Sequence, residues 1–128
     1  MLSVNTPGVV AELTALADAY EAALMANDVE RLDGLFWNSP CAVRLGVGEN
    51  LYGFEEIAAF RKGRVGGAPQ RQRLKTHVTA LGPDVGVINV EFRREGSSRI
   101  GRQSQTWIRT DEGWRIAAAH VSFMAEGS

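Results

Sequence analysis

The sequence predicts an α+β fold, in which a cone-shaped, curved antiparallel sheet wraps around N-terminal helices. Three observations predict it. The first half of the chain carries helical apolar spacing, interrupted by a single short strand pattern. The second half carries four long strand patterns, at roughly 72–82, 85–95, 99–110 and 113–124. The breaks between them, Gly82-Pro83-Asp84, Glu95-Gly96-Ser97-Ser98 and Asp111-Glu112-Gly113, are of hairpin length. Helices followed by an antiparallel meander make α+β rather than alternating α/β.

Each element has its own signal. Thr6 is a helix cap and Pro7 suits the first helical position, after which VVAELTALADAYEAALMA places Val10, Leu13, Ala17, Tyr20 and Leu24 on one stripe. Asn27 ends this helix in a left-handed conformation, and Asp28 caps a short second helix, VERLDGLF. Asn38-Ser39-Pro40 is a turn, and Cys41 to Leu45 alternates as a strand. Gly46 to Gly53 reads as a loop. FEEIAAFRKGR reads as a third helix, with Phe54, Ile57, Phe60 and Arg61 along one side. Arg64 to Pro69 is Gly-rich and reads as mobile. The two closing strands carry polar groups in an alternation that suits a cavity wall: Gln103, Gln105 and Trp107 in one, Trp114, Ile116, Ala118, His120 and Ser122 in the other.

Length and composition bound the function. The 128 residues are expected to form one domain, 1–128, with a real core. No apolar run approaches the roughly 20 residues a bilayer needs, so no membrane partner is expected. The N-terminus carries no signal-type pattern, and the single Cys41 allows no internal disulfide; both fit the cytoplasm. Net charge is −1, but residues 1–60 hold nine Asp/Glu against two Lys/Arg, and residues 61–128 hold six against twelve. That asymmetry suits an acidic helical half packed on a basic sheet half. The densest basic stretch, Arg71 to Lys75, has no interleaved aromatic for base stacking, so nucleic acid is not an expected partner. Apolar residues on both faces of the strands predict a homodimer, or a larger assembly, through the open face of the sheet.

Two residues stand out chemically. Arg44 lies between Val43 and Leu45 in a strand, where burial is costly without an anion; alternation alone leaves open whether it points inward. Tyr20 sits on an apolar helical stripe, so its hydroxyl needs a partner. Further pocket candidates are Trp37, Tyr52, Arg61, Gln105, Trp107 and His120. His77 and His120 lie in different strands, and no HxxxH, HExxH or CxxC spacing occurs, so neither a metal nor an organic cofactor is expected.

The element order, the break in MANDVERLDGLF, and the segments LFWNSP, VRLGVGENLYGFEEIAAFR and RIGRQSQTWIRTDEGWRIAAAHVS resemble the AtzH/HpxZ-like branch of the nuclear-transport-factor-2-like, or SnoaL-like, superfamily. The resemblance implies that Tyr20 and Arg44 occupy the branch's catalytic positions, and that the substrate is a small anion. It also implies a decarboxylating amide hydrolysis of a carboxylated urea, such as dicarboxyurea to allophanate, in cyanuric acid or related nitrogen catabolism. Arg44 would anchor a carboxylate and Tyr20 would supply a proton to the departing nitrogen. The rival readings are a non-catalytic binding or accessory protein of urea, oxalurate or s-triazine catabolism, and a SnoaL-type isomerase or cyclase. An acidic partner for Arg44, such as Glu91, would favour a structural ion pair over an anion site.

Overall fold

The computed structural model describes residues 1–126, so the last two positions of the expected domain lie outside the described residues. Its elements are α1 (Pro7–Met25), α2 (Val29–Leu35), β1 (Val43–Leu45), β2 (Asn50–Tyr52), α3 (Phe54–Gly63), β3 (Arg71–Ala80), β4 (Val85–Arg94), β5 (Gly101–Thr110) and β6 (Gly113–Phe123). The strands form one open, curved sheet in the order β2-β1-β6-β5-β4-β3. Strands β3 to β6 are the expected antiparallel meander. Strand β1 joins β6 in parallel, and β2 pairs antiparallel with β1. The sequence reads β2 as loop because its three residues, Asn50–Tyr52, are too few to show alternation.

Local chemistry fixes the helices. Pro7 opens α1, but Thr6 caps it through its backbone: the Thr6 carbonyl accepts from the N–H groups of Val9 and Val10, and its hydroxyl makes no capping bond. Asn27 is left-handed, at φ 51°, and the Asp28 carboxylate accepts the Arg31 N–H at 3.1 Å as the cap of α2. The buried stripe of α1 is Val9, Leu13, Ala17, Tyr20 and Ala23, with Val10 and Leu24 at its margins. The Gly-rich segment after α3 is tied down at its end, where Gln70 Nε2 donates to the Met25 carbonyl at 3.0 Å.

One irregularity sets which side chains line the inside. Along β5, Gln103, Gln105 and Trp107 all face the helices and are buried. Opposite them, the β6 pairing steps from Thr106↔Ala118 to Trp107↔Ile116, leaving Ala117 as an extra residue. A bulge inverts the alternation beyond it. Trp114 and Ile116 are buried on one side of it, Ala119 on the other, and His120 is exposed on the outer face. The expected inward alternation of Trp114, Ile116, Ala118, His120 and Ser122 therefore holds only for its first two members.

The outer face mixes polar and apolar side chains. Phe92, Trp107, Trp114, Ile88 and Ile116 all turn inward. The outer face carries a polar row, His77–Asn89–Ser104–His120, in register across four strands, in which the Ser104 hydroxyl donates to Asn89 Oδ1. The same face carries Val43, Leu45, Val87, Ile108 and Ala118, each partly exposed, and the 63% exposed Tyr52.

The core forms where α1 lies against β3 and β4. A Cβ on Gly86 would sit 2.3 Å from Leu13 Cδ1, so the missing side chain is what lets α1 approach. Gly86→Ala is expected to destabilise the fold by about 1–3 kcal/mol through overpacking. Urea unfolding measures this, and adding Leu13→Ala should recover part of the loss.

Candidate functional site

A cavity of about 180 Å³ opens where β4 ends and β3 begins. Every nearby element contributes to it: α1 gives Tyr20, β1 gives Arg44, α3 gives Phe60, β3 gives Arg71, β4 gives Arg94 and β5 gives Gln103. Glu49, from the β1–β2 turn, and Arg64, just after α3, complete the charged lining.

The register settles the direction of Arg44. It pairs with Ala119, which faces inward, whereas Val43 and Leu45 pair with the outward Ala118 and His120. The Arg44 side chain is 12% exposed, and its partner is Glu49, not Glu91: Nη1 donates to Glu49 Oε1 at 3.4 Å. Glu91 lies on the outer face of β4. A single long contact is a weak pairing beside the two-pronged geometry a guanidinium prefers. Glu49 folds back over Gly46, where a Cβ would lie 2.5 Å from its Oε1. Its Oε2 accepts the Gly48 N–H at 3.2 Å.

The pocket holds more positive charge than its own acids neutralise. Arg71 is fully engaged, donating to both oxygens of Glu21 at 3.0 and 2.7 Å. Arg64 and Arg94 have no carboxylate partner among the described residues; they stack on the rings of Phe60 and Phe123 at 4.7 and 4.8 Å. Burial, and then the charge of Arg44, holds Arg64 below the usual arginine range; burial, and then Arg71, does the same to Arg94. Both remain cations at neutral pH. Four guanidiniums against two carboxylates leave two net positive charges in one small cavity.

Tyr20 supplies the neutral polar group. Its ring is buried, yet its hydroxyl takes no hydrogen bond from or to any described residue. Nor is that oxygen sealed in the interior: among the described residues the buried side-chain atom left without a partner is Gln105 Nε2. The hydroxyl therefore opens into the cavity. The common arrangement for a core tyrosine, a bond to a backbone carbonyl, is not present.

The sequence candidates separate into three groups. Tyr20 and Arg44 share the cavity, and Arg61 borders its extension but is held by Asp33 and stacks on Phe36 at 5.1 Å. Gln105 and Trp107 do face inward, but deeper than Gln103, in closed core where Trp107 Nε1 donates to Gln105 Oε1 at 3.1 Å. Trp37, Tyr52 and His120 lie outside the cavity. Trp37 is half-buried against the core, Tyr52 is 63% exposed on the outward register of β2, and His120 is turned out by the bulge. The sequence places Gln103 in a cavity wall without marking it as a site residue, and it gives no sign of Arg64, Arg71 or Arg94. The signal for Gln103 is its alternation with Gln105 and Trp107; the three arginines have none.

A wider groove of about 1050 Å³ lies between α1, α2 and the start of β6, and its central acid, Glu12, is engaged within it. Glu12 accepts from Trp114 Nε1 at 2.6 Å and from Arg109 at 2.9 Å. These contacts, the indole first, hold its carboxyl below the usual range. A depressed carboxyl contributes stability above its unfolded pKa, and loses it as pH falls through the folded value. Glu12→Gln is thus expected to flatten the acid side of the stability–pH curve, read by urea unfolding between neutral and acid pH.

At the small cavity, Glu49→Gln removes one negative charge and keeps an acceptor for Arg44. It is expected to tighten oxalate binding by about threefold to tenfold at low salt, with the gain shrinking as salt is added, measured by calorimetry.

The family model described as AtzH-like matches residues 2–127. A protein of unknown function of the DUF3225 family from Pectobacterium atrosepticum is 52% identical, with 95% of each chain covered and a TM-score of 0.92. A cystatin-like fold protein from Burkholderia xenovorans is 41% identical over 98% of each chain, also with a TM-score of 0.92. A nuclear-transport-factor-2-like superfamily protein from Salmonella enterica shares the fold at 21% identity, 96% coverage of each chain and a TM-score of 0.78. No curated protein matches.

Proposed function

This chain belongs to the AtzH-like family of the nuclear-transport-factor-2-like superfamily, and we propose that its arginine pocket is the active site of a small hydrolase acting on a compact carboxylated urea. The reaction is a decarboxylating C–N cleavage of the dicarboxyurea-to-allophanate kind. The observation that carries the reading is the pairing, in one cavity, of an unengaged tyrosine hydroxyl with a surplus of guanidinium charge.

The chemistry follows from those two groups. The bond between a urea nitrogen and one carboxylate carbon breaks, and its electron pair stays on the nitrogen, shared with the urea oxygen. Tyr20 delivers a proton to that nitrogen as CO2 departs, and the phenolate recovers a proton from water. Dicarboxyurea plus water then gives allophanate plus bicarbonate. Arg44 acts best where charge accumulates, at the urea oxygen and nitrogen; an arginine that only clamped the departing carboxylate would stabilise the ground state instead. A positioned donor of this kind contributes about 3 kcal/mol in a dry site.

An isomerase with a histidine base fits less well, because His77 and His120 both lie on the outer face. Tyr20→Phe is expected to lower bicarbonate release from dicarboxyurea about a hundredfold or more while leaving the unfolding midpoint unchanged. Arg44→Lys should also be harmful, since a point charge replaces a planar fork. A Tyr20→Phe protein with full turnover overturns the proton-donor role. Binding of the anion with no bicarbonate released by the unaltered protein supports a carrier instead.

A further inference from the structure

Arg94 has no role in the cleavage described above, yet its placement is costly. It stands directly across β3–β4 from Arg71, and both side chains turn to the inner face. Like charges in cross-strand register destabilise a sheet. Glu21 relieves only Arg71. Arg94 is half-buried, has no carboxylate partner among the described residues, and lies over the Phe123 ring at 4.8 Å. A surface arginine with no task would turn toward water, because its long side chain reaches out readily.

The position of Arg94 within the cavity gives the reason. Arg44 projects from β1 and Arg94 from β4, three strand spacings apart, or about 14 Å of backbone. The guanidiniums thus approach the cavity from opposite walls. By strand order Arg44 on β1 stands at one end, with Arg64 and Tyr20 in electrostatic reach of one another there, and Arg94 on β4, beside the Glu21-bound Arg71, stands at the other, with Gln103 on β5 between them. We propose that Arg94 is the specificity-determining residue of this pocket. It binds the distal, non-reacting carboxylate of a compact dianion and so selects dianions over the monoanions that share their other end.

This rests on the reading that the cavity is the substrate site, and it completes the electrostatics of that site. Two unbalanced positive charges match a dianion, whereas a monoanion leaves Arg94 uncompensated. The selection also serves the reaction. Binding energy from a group that does not react can hold the scissile end in place without stabilising the bond to be broken.

The test uses two stable probes of matched shape: glutarate, whose five-carbon chain carries a carboxylate at each end, and butyrate, which lacks one of them. Calorimetry at fixed low ionic strength is expected to give the unaltered protein about a tenfold to hundredfold preference for glutarate. Arg94→Gln should bring glutarate down to the affinity of butyrate, with butyrate itself changed by less than about twofold. Arg94→Lys should fall between them, because it keeps the charge and loses the fork. Arg44→Gln should weaken both probes. Unfolding midpoints are recorded alongside, and if Arg94→Gln does not fold, the comparison rests on Arg94→Lys.

No glutarate preference in the unaltered protein overturns the proposal. So does an Arg94→Gln variant that weakens both probes equally, which would make Arg94 a source of general field only. Bicarbonate release is assayed separately: glutarate preference without release keeps Arg94 and ends the hydrolase reading, and release without preference does the reverse.

Discussion

Mutual repulsion among guanidiniums on the inner face of the sheet is the constraint around which this molecule is arranged. Arg44, Arg64, Arg71 and Arg94 converge on a cavity of about 180 Å³. Like charges sharing one small cavity repel, and the effect is visible where Arg44 acts on Arg64 and Arg71 acts on Arg94. The fold meets this cost in two ways. Glu21 and Glu49 cancel part of the charge, and the rings of Phe60, Phe92 and Phe123 lie under the guanidinium planes. Neither removes the surplus, and that surplus is what the proposed anion site rests on.

The same balance organises the rest of the chain. The acidic first half and basic second half meet across the helix–sheet interface in separate pairs, Glu12 with Arg109, Asp18 with Arg73, and Glu21 with Arg71. All three acids lie on α1, so the helix is held along its length against β3 and the β5–β6 end. Pairs this exposed add little stability individually, apart from the buried, two-pronged Glu21–Arg71 contact. Their joint effect is positional. They fix the rotation of α1, and that rotation brings Tyr20 over the cavity.

Much of the fold was legible in the sequence because its signals are local. Asn27 and Asp28 mark the α1–α2 junction by their own backbone chemistry, and the four long strands show their alternation over ten or more residues each. The site was legible only in part. Tyr20 was readable from its helical stripe, but the direction of Arg44 depends on its register with β6, which no local pattern states. His120 was misplaced because the extra residue at Ala117 inverts the parity, and an Ala-Ala-Ala run hides a bulge completely. Arg71 and Arg94 looked like ordinary surface charge, since each sits at a strand end where exposure is expected. Only the curl of the sheet turns those ends toward Arg44.

Glu49 shows why the surplus is two charges and not three. A cavity lined by arginine without an internal carboxylate would repel itself apart or trap the first anion to arrive. Glu49 lies in the short turn between β1 and β2, where Gly46 leaves room for it to fold back on Arg44. Its single 3.4 Å contact orients that guanidinium without occupying both of its prongs. A closer, two-pronged pair would satisfy Arg44 as Glu21 satisfies Arg71, and would leave nothing for a ligand. The difference between those two acid–arginine contacts, one loose and one complete, separates an arginine with donors to spare, as the proposed site requires, from an arginine that holds the wall in place.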